Sequence, residues 1–324
     1  MPHYDLPLHE LEQYAPPRRE PDDFAEFWSS TLAEARTHDL DVRSERAAAY
    51  LPHVVVHDVT FAGFGGDPIR AWHLRPSGVE GVLPTVVQFL GYGDGRGTPV
   101  DWLMWPAAGF AVLVVDTRGQ GARARRAGAT GDPAGSASPH VEGFLTKGVL
   151  DPHDYYYRRV LTDGVRALEA VRTLPGTDPS HVAAVGMSQG GAIALGVSGL
   201  APSLVDATVT HVPFLCDVRR EVTITGSKPY SELVAFLRTH RASAEQALST
   251  IDYVDGTTLA AHATAPARFS VALMDEICPP SGVFAAYHHY AGPKTLDVYP
   301  YNDHEGGAAD AEIASVQWLQ ELWS

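Results

Sequence analysis

Two hydrophobic rhythms alternate along this chain. Short runs, largely apolar and rich in β-branched residues, stand at Thr85–Leu90 and Phe110–Asp116, and further strand-like runs recur at His181–Gly186, Ala207–Val212, Phe269–Met274 and Thr295–Val298. Runs of this kind suit strands covered on both faces. Between them the spacing turns helical. Val165, Leu168 and Val171 mark a helix over Asp163–Leu174, and AIALGVSGL marks another after His181–Gly186. Further helices are expected over Pro229–Leu237, Gly282–Tyr290 and Ala309–Trp323. Upstream, His53–Phe61 and Ile69–Arg75 read as an antiparallel pair joined through the turn FGGDP. Strands alternating with helices predict an α/β fold, its mostly parallel central sheet carrying helices on both faces.

Two segments stand outside that rhythm. Before Leu51 the chain is polar and Pro-rich except at FAEFWSSTLAEA, where Phe24, Phe27, Trp28 and Leu32 fall on one helical stripe over Phe24–Ala35. Pro21 and Asp22 suit its first turn. The stripe must be buried, against either the body of the chain or another subunit. Gly121–Leu150, rich in Gly, Ala and Arg, is the one long irregular stretch, and loops of that length are usually functional or inserted. Nothing mid-chain resembles a linker. The expected organisation is one domain over residues 1–324, with residues 1–50 as an N-terminal helical extension and 121–150 as a loop-rich insertion.

Composition narrows the partners. With 45% hydrophobic residues the chain has ample material for a large core. Its 24 Lys and Arg against 39 Asp and Glu give a net charge of −15. That balance repels phosphate backbones and anionic lipid, so nucleic-acid and membrane-surface roles are not expected. Cys216 and Cys278 form no CxxC pair and fit a reducing compartment. The opening twenty residues hold no apolar core of signal-peptide length, and no stretch approaches the run of about 18 apolar residues that would suggest a span. A cytoplasmic protein is expected.

The chemistry gathers at the C-terminal ends of the strands, where open α/β sheets bind ligands. Gly186-Met187-Ser188-Gln189-Gly190 has the form G-x-S-x-G, with a strand before it and a helix after it. That context makes it a nucleophile elbow of the α/β-hydrolase fold, with Ser188 as the exposed nucleophile. In this fold the acid and then the base follow the serine. Asp275 lies just past a late buried strand; Glu276 is its competitor. Of the 15 histidines, His304 alone has the right order and a Gly-rich loop after the last strand. His288 and His289 read as mid-helix and solvent-facing, while His211, His140 and His153 precede the acid. Asp303 is adjacent to His304, but sequence neighbours rarely reach each other's ring nitrogens, so Asp275 is preferred as the orienter; Glu305 is suited to tying the loop. His304-Glu305 lacks other ligands at usable spacing and the HExxH pattern, so no metal is expected. The loop Gly91-Tyr92-Gly93 follows TVVQFL, and the backbone N–H of Tyr92 would join that of Gln189 as an oxyanion hole. Arg118 ends another strand at the same edge and is expected to brace that loop rather than touch substrate.

Taken together, Gly91-Tyr92, Arg118-Gly119-Gln120, Gly186-Met187-Ser188-Gln189-Gly190-Gly191 and His304-Glu305 resemble the acetyl xylan esterase and cephalosporin C deacetylase family, carbohydrate esterase family 7. DFAEFW, TKGVLDPHDYYYRRV and ICPPSGVFAAYHHY are similar to the same family, so the likeness runs from about Asp22 to the end. The resemblance implies Ser188, Asp275 and His304 as catalytic residues, Tyr92 and Gln189 as backbone donors, and supporting places for Arg118 and Gln120. It also implies no metal or cofactor, removal of acetyl groups from small acetylated sugars such as xylo-oligosaccharides or from related esters such as cephalosporin C, and a homohexamer enclosing its active sites. Two features depart from the family pattern. Leu90 stands where many members have His, and ARARR at Ala122–Arg126 replaces a Ser-rich run. The alternatives are a tailoring esterase or acyltransferase for another acylated metabolite and a non-catalytic binding protein of the same fold.

Overall fold

The sheet is built from nine strands: β1 (Arg43–Arg46), β2 (Val54–Ala62), β3 (Pro68–Pro76), β4 (Leu83–Phe89), β5 (Ala111–Val115), β6 (Thr177–Met187), β7 (Ala207–His211), β8 (Ala267–Ala272) and β9 (Lys294–Tyr299). They come from a computed structural model that describes residues 3–48, 50–123, 125–134 and 138–324. The spatial order is β1-β2-β3-β5-β4-β6-β7-β8-β9. From β5 to β9 every neighbouring pair is parallel. β1, β2 and β3 pair antiparallel, and β3 joins β5 the same way.

The continuous apolar runs are explained by what covers the two faces. Successive residues of one strand point to opposite sides. Val86, Val112 and Ala183 therefore pack with Trp105, Phe110 and Leu319 on one face. Their neighbours Val87, Leu113 and Ala184 pack on the other face with Leu161, Leu168 and Ile193. Each such side chain fully withdrawn from water contributes about 1.5–3 kcal/mol. Among the described residues, no helix is long and apolar enough to cross a membrane.

The expected elements are present, with shifted ends. The helix expected from Asp163 begins at Tyr156 and ends at Val171. Its first turn escaped the sequence reading because Arg158 and Arg159 look solvent-bound, yet both are buried. Arg158 donates to Thr31 Oγ1 at 2.9 Å and Arg159 to Asp132 Oδ2 at 3.1 Å. β1 was not foreseen; RSER has no apolar position, is exposed throughout, and is held by its backbone pairing to β2. Helices Val218–Ile224, Ala244–Asp252 and Gly256–Ala260 were also not foreseen. β8 stops at Ala272 rather than Met274, so a turn separates it from Asp275. His288 and His289 close their helix instead of sitting mid-helix; His289 Nε2 lies 2.6 Å from Pro16 O, and neither ring is fully exposed.

The aromatic helix spans Phe24–Ala35 as expected, and the chain covers the stripe itself. Phe24 stacks on His262 with centroids 5.2 Å apart, and Trp28 Nε1 donates to Tyr253 O at 3.0 Å. The stripe packs on helices and their connecting turns. The insertion holds one short 3-10 turn, Phe144–Thr146, and is otherwise irregular where described; Ala124 and residues 135–137 lie outside the described residues.

Candidate active site

Ser188 sits between the end of β6 and the helix Gln189–Leu200, at φ 58° and ψ −122°. A non-glycine residue in that conformation is strained and must be held by its surroundings. Here the hold is tight: Ser188 N donates to His211 O at 2.9 Å, and Ala192 N reaches back to Ser188 O at 2.9 Å. The flanking glycines permit the turn. A Cβ on Gly186 would stand 2.1 Å from the Gly190 carbonyl carbon, and one on Gly190 would stand 2.4 Å from Phe89 O.

His304 follows β9 in a turn that its neighbours fix. Asp303 Oδ1 accepts from His304 N at 2.8 Å, and Glu305 accepts from Asn302 Nδ2 at 2.7 Å and Asp303 N at 3.1 Å. The imidazole joins the other two residues picked out by sequence order. Its Nε2 lies 3.0 Å from Ser188 Oγ and its Nδ1 lies 2.8 Å from Asp275 Oδ2. Asp275 is fully buried, and its other oxygen accepts from Ile277 N at 2.8 Å and Cys278 N at 2.9 Å. A carboxylate only accepts, so the ring proton resides on Nδ1 and the Nε2 lone pair faces the serine hydroxyl. Glu276 meets Thr225 Oγ1 through its backbone carbonyl, and His304 takes no bond from it.

The loop after β4 comes against the start of the helix that follows Ser188. Gln189 Nε2 donates to Leu90 O at 3.2 Å and Gly91 O at 3.3 Å. Gly93 N donates to Gln120 Oε1 at 2.7 Å, and Gln120 Nε2 reaches both Gln189 Oε1 and Tyr156 Oη at 2.9 Å. Tyr157 Oη adds a bond to Gln189 Oε1 at 2.9 Å. The Tyr92 side chain turns outward, donating to Glu232 Oε2 at 2.5 Å and accepting from Phe144 N at 2.8 Å. Its backbone is thereby pinned beside the first turn of the helix, where N–H groups have no intrahelical acceptor. Tyr156, Tyr157 and Glu232 were not singled out from the sequence; a buried polar network leaves no periodic signature.

Arg118 does not do what was expected of it. Its guanidinium is fully buried and bidentate to Asp163, at 2.6 and 2.7 Å, with Asp67 at 3.0 Å and Asp132 at 3.3 Å. These bonds tie the β2–β3 turn and the insertion to the helix Tyr156–Val171, and its hydrogen bonds do not go to the loop at Gly91–Gly93. The brace on that loop is Gln120, two residues later.

A cavity of about 640 Å³ opens over Ser188 and His304 and is lined in part by Leu90, Trp102, Arg125 and Arg126. Arg126 lies over the Trp102 ring at 4.2 Å and is paired with Asp94 at 3.0 Å; Arg123 is paired with Glu142 at 3.0 Å. The departure from the family pattern at ARARR therefore rims the cavity with cations. Cys278 is a further neighbour, which the sequence reading weighed only as a sign of a reducing compartment. Its Sγ lies 3.9 Å from Ser188 Oγ, and burial pushes its thiol pKa up. Among the described residues, Asp275, Cys278 and His304 form the one group of metal-ligand type, with ligand atoms within 4.8 Å. Asp275 and His304 in that group are already bonded to each other.

Comparison with known proteins shows the family. The family model described as acetyl xylan esterase (AXE1) matches residues 1–322. Acetyl esterase Axe7A of Xylanibacter ruminicola is 25% identical over 315 residues, covering 96% of this chain and 69% of that protein. The solved acetyl xylan esterase from Paenibacillus sp. R4 is 36% identical, with a TM-score of 0.90 over 98% of this chain and 99% of its own. Acetyl xylan esterase 1 from Thermoanaerobacterium sp. JW/SL YS485 is 31% identical, with a TM-score of 0.89 over 99% of this chain and all of its own.

Proposed function

The chain belongs to the acetyl xylan esterase family of carboxylic ester hydrolases, and from that premise we propose that it removes acetyl groups from small acetylated sugars through an acetyl-enzyme on Ser188. The observation that carries the proposal is the unbroken chain from Ser188 Oγ to His304 Nε2 and from His304 Nδ1 to Asp275, at 3.0 and 2.8 Å, on the wall of an open cavity.

In this reading Nε2 of His304 takes the hydroxyl proton as Oγ bonds to the acetyl carbon, and the carbonyl π pair moves onto oxygen. The backbone N–H groups of Tyr92 and Gln189 stabilise that oxyanion. Asp275 holds the imidazole in the right tautomer and stabilises the imidazolium. Collapse of the tetrahedral intermediate expels the sugar oxygen, which takes the proton from Nε2. Water then attacks the acetyl-enzyme by the same route, giving acetate and free Ser188. The mechanism requires no metal or cofactor.

Acetylated xylo-oligosaccharides are the favoured substrates, with cephalosporin C as a related ester, in a cytoplasmic homohexamer. Substrate and assembly rest on the family resemblance, and location on the two free cysteines; the aromatic stripe no longer supports the assembly, because the chain buries it internally. Hydrolysis of 4-nitrophenyl acetate, acetylated xylotriose, longer acyl esters and insoluble acetylated xylan tests the substrate. The first two should turn over well and the others poorly. Preference for a long acyl chain would overturn the proposal. Light scattering on a gel-filtration peak decides the assembly; a mass near 34.9 kDa would exclude an oligomer.

A further inference from the structure

The polar, Pro-rich beginning of the chain is attached to both loops that carry the proposed acid and base. His3 Nε2 lies 2.8 Å from Pro300 O, on the approach to His304, and Tyr4 Oη donates to Asp275 O at 2.6 Å. The Asp5 side chain is only 1% exposed; it accepts from Ser281 N at 2.8 Å and from Arg220 Nη2 at 2.8 Å. Ser281 belongs to the first turn of the helix Pro280–His289, immediately beyond the acid's turn. Leu6 and Leu11 pack on Val271, Leu273 and Phe284, which flank that turn on both sides. Tyr14 Oη closes the segment by donating to Asp217 Oδ2 at 2.7 Å.

These attachments matter because of how Asp275 is held. Its own turn aims the carboxylate, through the N–H groups of Ile277 and Cys278. The placement of that turn relative to His304 depends on bonds from outside it. Two come from the His304 side, Leu273 N to Tyr299 O at 3.0 Å and Met274 N to Asn302 O at 3.1 Å. Thr225 Oγ1 donates to the carbonyl of Glu276, and Tyr4 bonds the backbone of Asp275 itself. A displacement of a few tenths of an ångström at Asp275 weakens a 2.8 Å bond to Nδ1 and lessens the stabilisation of the imidazolium.

We infer that residues 3–6 form a strap whose Tyr4 and Asp5 are positioning residues for the Asp275–His304 pair. This inference deepens the proposed function and rests on its assignment of Asp275 and His304.

The test is steady-state hydrolysis of 4-nitrophenyl acetate from pH 5 to 9 by the full chain and by Tyr4→Phe, which keeps the ring and removes one hydroxyl. Loss of a single positioning hydrogen bond should lower kcat about five- to tenfold with KM unchanged. The acid limb of kcat/KM should move with it, because the pair that carries the proton is less well aligned. Asp5→Ala should move both quantities further in the same direction. Glu10→Gln, at an exposed position on the same segment, should match the parent chain. A strap that merely stabilises the fold would lower the urea midpoint of Tyr4→Phe and leave kcat and the acid limb where they were; that result overturns the inference. Asp275→Asn is measured alongside. If it remains fully active, the reading beneath the inference fails; if it is inactive while Tyr4→Phe behaves as the parent, only the strap fails.

Discussion

Replacing Asp275 by Asn tests the proposed site most directly, because the surroundings dictate how the amide must sit. Asp275 Oδ1 accepts from two backbone N–H groups, at 2.8 and 2.9 Å, and only the amide oxygen of Asn can keep both. The NH2 group is then forced toward His304 Nδ1, which must present a lone pair to it. The ring proton moves to Nε2, where it faces Ser188 Oγ and cannot accept the hydroxyl proton. Flipping the amide would restore the tautomer but leave two buried N–H groups against an NH2, at about 1–3 kcal/mol each. The wrong tautomer should therefore dominate, and kcat should fall by about 10⁴. At 1.36 kcal/mol per tenfold this is about 5.4 kcal/mol of lost transition-state stabilisation. The isosteric change should leave the circular dichroism spectrum unaltered. Glu276→Gln should cost little, since His304 takes no bond from that residue. Initial rates on 4-nitrophenyl acetate at pH 8 settle the matter: Asp275→Asn activity within tenfold of the parent would refute the reasoning, as would a larger loss in Glu276→Gln.

Three further outcomes are expected. Ser188→Ala should lose about 10⁶ in kcat while keeping its fold, and a serine-directed organophosphate should label the parent at Ser188 alone by peptide mass mapping. Arg118→Met would leave the carboxylates of Asp163 and Asp132 buried without their shared cation, so urea unfolding should show a loss of about 3–5 kcal/mol; a change below 1 kcal/mol would contradict the burial argument. Burial pushes the His211 imidazole down to about 4, so between its ordinary 6.5 and that value the unfolded chain binds a proton that the folded chain refuses. Stability of the parent should therefore fall relative to His211→Asn as pH drops from 7 to 4, by up to about 3 kcal/mol, and a pH-independent difference would count against it.

The sequence was informative where chemistry coincides with periodicity. The apolar strands, the helix at Phe24–Ala35 and the turn at Ser188 all announce themselves through spacing, and chain order together with strand-end and loop context picked Asp275 and His304 from many carboxylates and histidines. It was silent where a residue's type misstates its environment. Arg118, Arg158 and Arg159 look like surface residues and are buried because each finds a carboxylate or hydroxyl partner. Arg118 was assigned to the oxyanion loop from its position at a strand end, but its bonds run the other way, and the amide of Gln120 can both donate and accept where a guanidinium only donates. The strand Arg43–Arg46 has no side-chain signal at all.

The same distinction explains how the site can be both open and rigid. In the proposed mechanism the Tyr92 N–H of the loop after β4 is kept for an oxyanion, so the loop is not fixed there by the backbone ladder that fixes the strands. It is fixed instead by side chains arriving from three directions: the paired amides of Gln120 and Gln189, the hydroxyl of Tyr157, and Glu232 bonded to the Tyr92 hydroxyl. These groups lie in a low-dielectric interior where a satisfied network is stiff and a half-satisfied one is costly. Burial raises the Glu232 carboxyl above its ordinary range while the bond to Tyr92 opposes the rise, so this tie is retained at an energetic cost. Residues of the insertion belong to the same network, since Phe144 N bonds the Tyr92 hydroxyl from outside the sheet. An insertion that a smaller hydrolase would not need thus supplies part of the rigidity of the proposed oxyanion loop, and Arg125 and Arg126 at its other end border the cavity over Ser188.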